Sequence, residues 1–336
     1  MKSFMRQEIE FQPQMIRDMS TYWQETSLEL SEEIKSRKNI VLLGRGTSGN
    51  ACIFASYLFG LSTGRHPIDF RPWLATQEAV YADYSDCIVL AYSQSGESTD
   101  VIRSAEWLKE RKAKVIAITN SDNPNPSIKN VSDKVFFIKA GKENAVPATK
   151  SYTAQLMVTA SLSGINIKNQ SDQIADCIEN YLNSNEAITL SEFVNEKKVS
   201  VWLSRGIIQP AALDASLKLQ ETVGLPSFGY SSAEFLHGPI ACLNSNDCVI
   251  IFDSNDKDNV PNSVNKIIGV LNDKDVKYLK ITDKIGEDSL NVKLPNETWA
   301  QTIVYSVIGQ YNALLMAEKR NIDPDKPQGL KKVTIT

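Results

Sequence analysis

The stretch that decides the fold is DCIVLAYSQSGESTDVIRSAEWLKE, Asp86–Glu110. It opens with an unbroken apolar run, which has the length and composition of a strand buried on both faces. A polar turn rich in hydroxyls follows. Val101, Ile102, Ala105 and Leu108 then recur at helical spacing, so a helix begins near Thr99, with Ser98 or Thr99 as its N-cap. Strand, turn and helix in that order form half of a βαβ unit. The neighbouring segments repeat the plan. NIVLLGRGTSGNACIFASYLF (Asn39–Phe59) is an apolar run, a Gly-containing turn and a helical pattern, while AKVIAITNS (Ala113–Ser121) and DKVFFIKAG (Asp133–Gly141) are further apolar runs. Short buried strands alternating with helices predict an α/β fold with a parallel sheet.

The second half spells the pattern again. VSVWLSRGIIQPAALDASLKLQET (Val199–Thr222) matches the first strand, turn and helix; DCVIIFDSNDKDNVPNSVNKIIGVL (Asp247–Leu271) matches the second; VKYLKIT (Val276–Thr282) matches the third. Arg45-Gly46 recurs as Arg205-Gly206, Asp86-Cys87 as Asp247-Cys248, and Ile118-Thr119 as Ile281-Thr282. A steady offset with shared dipeptides reads as a duplication: two α/β domains of one fold, joined by a helical connection near residues 150–195.

Composition narrows the function. The 336 residues carry a net charge of −4 and 42% hydrophobic residues, as soluble globular chains do. No basic cluster suggests a nucleic-acid partner. No apolar run approaches the ~18 residues needed to span a bilayer, and charges interrupt the N-terminal stretch, so no signal-peptide core is read there. The five cysteines are odd in number and scattered, without a CxxC pair, and are expected to be reduced thiols of a cytoplasmic protein. No His/Cys/Asp cluster has metal-ligand spacing, so neither a metal nor an organic cofactor is expected.

In an open α/β sheet, ligands sit at the carboxyl ends of strands, where turns meet helix N-termini. The unpaired N–H groups of a first helical turn suit a phosphate. SQSGES adds the short donors Ser93, Gln94, Ser95 and Ser98, with Gly96 permitting close backbone approach; GRGTSGN supplies Thr47 and Ser48 one strand earlier. Each could be an ordinary capped turn, but together they read as one phosphate cradle. No GxxxxGK[ST] is present, and Gly44-Arg45-Gly46 lacks the third glycine of a dinucleotide fingerprint, so a small phosphorylated molecule fits better than a nucleotide. The equivalent turn of the second repeat, DSNDKDN (Asp253–Asn259), is rich in carboxylates that would repel phosphate.

Seven motifs, in order and over nearly the whole chain, resemble the sugar isomerase (SIS) domain family: RQEIEFQP, GRGTSGN, SQSGES, AVPATKSYTAQ, ALDASLKLQE, SSAEFLHGP and DPDKPQGLKKVT. The set is similar to the isomerase half of glucosamine-6-phosphate synthases. SSAEFLHGP and the terminal DPDKP…KKVT look most like the stand-alone glucosamine-6-phosphate deaminases of this fold. The resemblance implies two tandem SIS domains, each a parallel five-stranded sheet flanked by helices in a flavodoxin-like three-layer sandwich. Residues 1–36 would be an N-terminal helical segment and 37–170 the first domain, with the phosphate-binding turns. The second domain, 190–320, would carry the catalytic Glu and His, and 321–336 would be a tail closing over the site. The synthases take ammonia through an N-terminal Cys nucleophile. This chain begins Met1-Lys2-Ser3 and enters the isomerase region directly, so breakdown of an amino sugar phosphate is expected rather than its glutamine-dependent synthesis.

The same resemblance implies the roles. Ser48, Ser93, Gln94, Ser95 and Ser98 would hold the phosphate; the synthases usually have Thr where Ser98 stands, and the hydroxyl survives. Thr47 would contact the sugar, Val146 would present backbone to it, and Ala148, where a Ser is common, would lie near the C2 nitrogen. Glu221 would be the proton shuttle, and His237, which in the family can come from the partner subunit of a dimer, would open the ring. His66 sits outside the motifs and reads as structural. Lys218, one helical turn before Glu221, would handle the nitrogen or keep Glu221 charged. Lys332, with Lys331 the competing position, would close over the site and form a Schiff base with the open ketose. Without the motifs Glu221 would read as a surface glutamate, His237 as a turn residue, Lys218 as an ion-pair partner and Lys332 as part of a plain lid. The activity implied is deamination of an amino sugar phosphate to fructose 6-phosphate and ammonia by a homodimer with shared sites. A related ketose/aldose isomerase or ketosamine-phosphate deglycase, or a sensor keeping SQSGES alone, are the alternatives. A sensor would have no use for Glu221 and His237, and the chain has no helix-turn-helix addition.

Overall fold

A computed structural model describes residues 2–77, 82–253 and 263–332. The chain runs through α1 (Phe4–Glu10), α2 (Gln12–Lys35), β1 (Asn39–Leu43), α3 (Gly46–Thr63), β2 (Ile68–Asp69), β3 (Cys87–Ser93), α4 (Thr99–Glu110), β4 (Lys114–Thr119), α5 (Ser127–Asn130) and β5 (Lys134–Phe137). A helical stretch, α6 (Lys150–Leu162), α7 (Lys168–Leu182) and α8 (Asn185–Asn195), leads to β6 (Ser200–Ser204) and α9 (Gln209–Val223). Then come β7 (Ser227–Ser231), α10 (Ser232–Phe235), β8 (Cys248–Phe252), α11 (Ser263–Asp273), β9 (Lys277–Thr282), β10 (Ser289–Asn291) and α12 (Thr298–Lys319).

Contacts divide the chain into two compact units. One comprises Gln14–Asn144, Ala148–Ser171 and Gly329–Thr336; the other comprises Met1–Pro13, Ala145–Pro147 and Asp172–Gln328. The first holds a five-stranded sheet of order β2-β1-β3-β4-β5 and the second one of order β10-β9-β8-β6-β7. Every strand pair in both is parallel. Counted from its own first strand, each sheet has the order 2-1-3-4-5, the flavodoxin-like doubly wound arrangement. The expected fold class is therefore the observed one.

The repeated dipeptides have a backbone reason. Arg45 and Arg205 take nearly the same extended conformation, with φ/ψ of −132°/154° and −138°/151°. Gly46 and Gly206 follow with φ of +52° and +56°, a left-handed turn that only glycine adopts cheaply. The same strand-to-helix corner is thus built twice.

Within the first unit the central strands are buried on both faces. Val41, Leu43, Val89, Ala91, Val115 and Ala117 point to one side and share a core with Val101, Ala105 and Leu108 of α4. At the far end Trp23 Nε1 of α2 donates to the Ile138 carbonyl at 2.7 Å, which fastens the long helix beside β5. In the second unit, Val201, Leu203, Val249 and Ile251 pack with Ile267 and Leu271 of α11. On α9, two glycines allow close approach. A Cβ at Gly229 of β7 would lie 2.7 Å from the Ala212 carbonyl oxygen, and one at Gly309 of α12 would lie 2.4 Å from the Ala215 Cβ. Gly309→Ala is therefore expected to force α12 off α9 and to lower stability by about 1–3 kcal/mol, read as a reduced midpoint in urea unfolding.

Candidate active site

In the first unit, β3 ends at Ser93 and α4 starts at Thr99, so Gln94 to Ser98 form the turn at a strand's carboxyl end. Ser93 Oγ accepts from the Gly96 amide at 3.1 Å, and Ser95 Oγ accepts from the Glu97 amide at 3.1 Å. A hydroxyl used as an acceptor keeps its own proton to donate to an anion. The Gln94 carbonyl accepts from the Asn120 amide at 3.0 Å, which ties the turn to the end of β4. Ser98 stands at the N-cap position yet makes no side-chain capping bond, so its hydroxyl is not committed to the helix.

The turn also contains two carboxylates, which would repel a phosphate, and the fold engages both. Glu97 accepts from the Ser127 amide at 3.0 Å and from the Ser127 hydroxyl. Asp100 pairs with Arg45, whose Nη2 lies 2.6 Å away. Gly96 has φ +73°, and a Cβ there would meet the Pro126 Cβ at 2.7 Å. Gly96→Ala thus adds left-handed strain of about 1–2 kcal/mol to a clash. The expected outcome is a weakened affinity for inorganic phosphate or a sugar phosphate, measured by calorimetry, with α/β secondary structure retained by circular dichroism.

Thr47 and Ser48 lie in the first turn of α3. Ser48 is buried and its Oγ accepts from Gln155 Nε2 of α6 at 3.1 Å. The first unit thus holds all five expected phosphate ligands, Ser48, Ser93, Gln94, Ser95 and Ser98, together with Thr47, Ala148 and Lys332.

Lys332 reaches a residue that sequence reasoning missed. Its Nζ lies 2.8 Å from Glu143 Oε2, and the Glu143 side chain is fully buried. Glu143 also accepts from the Thr149 amide at 3.0 Å, the Ser151 amide at 3.0 Å and the Ser151 hydroxyl at 2.8 Å. Burial pushes its pKa up, but the Lys332 ammonium and these hydrogen bonds outweigh burial and hold it below the ordinary 4.5. A depressed carboxyl gives stability that is complete above the unfolded pKa and is lost as pH falls through the folded one. The advantage in Tm of the wild type over Glu143→Gln is therefore expected to persist from neutral pH to about 4.5 and to shrink in more acid solution. Lys331 is exposed, so the contact favours Lys332 of the two tail lysines.

The second unit holds Val146, Lys218, Glu221 and His237. The Val146 amide donates to the Asp325 carbonyl at 3.0 Å. On α9, Lys218 is fully buried and Nζ donates to Glu221 Oε2; the Glu221 side chain is 24% exposed. Asp214 Oδ1 lies 4.0 Å from the same Nζ, one turn earlier, and is also fully buried. The sequence analysis did not single out Asp214, although its i−4 spacing from Lys218 within ALDASLKLQE was the signal for it. One lysine between two carboxylates keeps charges inside the protein tolerable. Glu221, alone of the three, reaches solvent. A carboxylate held by a buried ammonium and partly open to solvent suits a group that takes and returns a proton.

His237 follows α10. Its backbone amide closes the turn on the Glu234 carbonyl at 3.0 Å, and the residue is exposed, so the turn is held by backbone rather than by the ring. Of the acidic turn of the second repeat, Asp253 is described and Ser254–Asn259 lie outside the described residues. Among the described residues no group of His, Cys, Asp and Glu could hold a metal ion, and no helix is long and apolar enough to cross a membrane.

Comparison with known proteins agrees with the fold. The model of the SIS domain matches residues 33–163 and 193–316. A glutamine–fructose-6-phosphate aminotransferase [isomerizing] from Thermococcus kodakarensis is 29% identical over 99% of this chain and 58% of its own length. A namesake from Methanocaldococcus jannaschii is 30% identical over 99% of this chain and 31% of its own. The chain therefore spans little more than half, or less, of these relatives. Among solved structures, the C-terminal domain of glucosamine-fructose-6-phosphate aminotransferase from Francisella tularensis superposes with a TM-score of 0.85 at 22% identity, covering 97% of this chain and 99% of that one. A glucosamine-6-phosphate deaminase from Thermotoga maritima gives 0.78 at 22% identity, covering 99% of this chain and 100% of that one. With both of its sheets matched by the family model, the chain belongs to the SIS domain family.

Proposed function

We propose that the protein is a phosphosugar aldose–ketose isomerase that deaminates glucosamine 6-phosphate to fructose 6-phosphate and ammonia. The observation that carries this reading is the Lys218–Glu221 pair on α9, a carboxylate at the edge of solvent held by a buried ammonium. The turn Ser93–Ser98 supports it as a phosphate site, since it places hydroxyls just before the α4 N-terminus, whose unpaired N–H groups suit an anion.

In this mechanism Ser48, Ser93, Gln94, Ser95 and Ser98 bind the phosphate. That remote binding energy orients the sugar for reaction. Thr47, the Val146 backbone and Ala148 line the sugar. His237 moves the ring proton and opens the pyranose. In a homodimer with shared sites the ring would enter from the partner subunit. Glu221 takes the proton from C2 of the open aldehyde and delivers it to C1. The C2–H electrons form the C1–C2 double bond of an enolamine as the carbonyl electrons move to O1, which takes up a proton; protonation at C1 with loss of one N–H proton then gives a 2-imino ketose. Water adds to C2 and ammonia leaves. Lys218 holds the Glu221 carboxylate in place through its Nζ and stands near the nitrogen. Lys332 acts from the tail, as a charge over the open sugar or as a Schiff-base nucleophile.

The test is ammonia release from glucosamine 6-phosphate, run beside galactosamine 6-phosphate and fructosamine 6-phosphate, with fructose 6-phosphate followed enzymatically. Equal amounts of both products from glucosamine 6-phosphate alone are expected. Turnover of another substrate alone moves the enzyme to a sister specificity. Sugar-phosphate binding without any turnover supports a sensor.

A further inference from the structure

Glu143 has no place in the mechanism above, yet its carboxylate is heavily bonded. Its side chain is fully buried, and its oxygens take two backbone amides, one hydroxyl and one ammonium. A buried carboxylate is costly unless every lone pair is used, so such a residue persists where it organises its surroundings. Here it organises two things. The amides of Thr149 and Ser151 flank the start of α6, so Glu143 fixes the exit of the Ala145–Thr149 turn. The ammonium belongs to Lys332, 189 residues away in sequence and at the end of the tail. The entry to that tail is fastened as well. Asp325 accepts the Phe4 and Met5 amides of α1 on its carboxylate at 2.8 and 2.7 Å, and its carbonyl accepts the Val146 amide.

We propose that Glu143 is a positioning residue that latches the C-terminal tail to the Ala145–Thr149 turn, setting the place of Lys332. It touches no substrate and acts through Lys332 and the turn backbone. The same contact engages the lysine nitrogen, with Glu143 Oε2 2.8 Å from Nζ. A Schiff base at Lys332 therefore requires the contact to open first. The catalytic part of this inference rests on the proposed deaminase reading; the latch itself does not.

Two variants test it in the full-length protein. Glu143→Gln keeps the shape and removes the charge, and Lys332→Met, a change at a partly exposed position, keeps the core intact. Hydrogen exchange read by mass spectrometry on peptides covering 143–151 and the tail from Gly329 is expected to quicken on the order of tenfold in Glu143→Gln. Exchange of β3 and β4 is expected to stay as in the wild type. Lys332→Met is expected to loosen the tail in the same way. In a double-mutant cycle on kcat/KM, the two losses are expected to be strongly non-additive, because Glu143 acts through Lys332. Unchanged exchange of turn and tail in both variants overturns the latch. Loosened exchange with additive kinetic losses overturns the positioning role. Loosened exchange in an enzyme whose wild type turns over none of the sugar phosphates upholds the latch, and the failure then belongs to the deaminase reading.

Discussion

Glu221→Gln is expected to lose turnover by about 10²–10⁴-fold in kcat while still binding fructose 6-phosphate. The amide matches the carboxylate in shape and still reaches solvent, but it cannot accept the C2 proton at neutral pH. Its oxygen can still accept from Lys218 Nζ, so the buried ammonium keeps a neighbour and the fold is expected to hold. The kinetic signature is a fall in kcat with an affinity for product, measured by calorimetry, within a few-fold of the wild type. A loss of binding equal to the loss of rate would make Glu221 a binding group and remove the proton shuttle from the account.

Lys218→Met has the other large expected effect, on stability. Lys218 and Asp214 are both fully buried on α9, and Glu221 is mostly so. Removing Lys218 takes away the ammonium that Asp214 and Glu221 share. Breaking a buried pair from one side costs about 3–5 kcal/mol, far more than an exposed pair is worth. The expected result is a large drop in the urea midpoint for Lys218→Met and recovery of much of it in the Asp214→Asn/Lys218→Met double variant. A Lys218→Met protein as stable as the wild type would mean that the carboxylates are already neutral in the fold. Activity of the single variant is expected to fall too, since Glu221 would lose the Nζ that positions its carboxylate.

The fold was legible where strands are central. β1, β3, β4, β6 and β8 are apolar runs because both of their faces are covered, and their order follows from the alternating helices. The edge strands were harder to read. β2 is the two residues Ile68 and Asp69 within GRHPID, both exposed, and β7 (SFGYS) was not read as a strand. Edge strands are short and half-wet, so neither length nor alternation marks them. The duplication was visible because a left-handed glycine after a strand is a backbone requirement, repeated at Gly46 and Gly206.

The candidate site was legible to the extent that its chemistry is local in sequence. Ser93 to Ser98 lie in one turn, and Lys218 and Glu221 share one helix face. Glu143 was not legible, because nothing in GKENAVPATK announces that its one carboxylate is buried, and its cation is 189 residues away. The engagement of Glu97 by Ser127 and of Asp100 by Arg45 was hidden for the same reason, although it explains how a turn with two carboxylates can still suit a phosphate.

The central claim is that a base moves the C2 proton of an amino sugar phosphate to C1. The most direct measurement is the deuterium content at C1 of fructose 6-phosphate formed in ordinary water from glucosamine 6-phosphate deuterated at C2, read by NMR for the wild type and Glu221→Gln. The account predicts deuterium carried from C2 to C1 by the wild type and product formation slowed by about 10²–10⁴-fold in the variant. Product with no deuterium carried to C1, or labelled product formed as fast by Glu221→Gln, would contradict it.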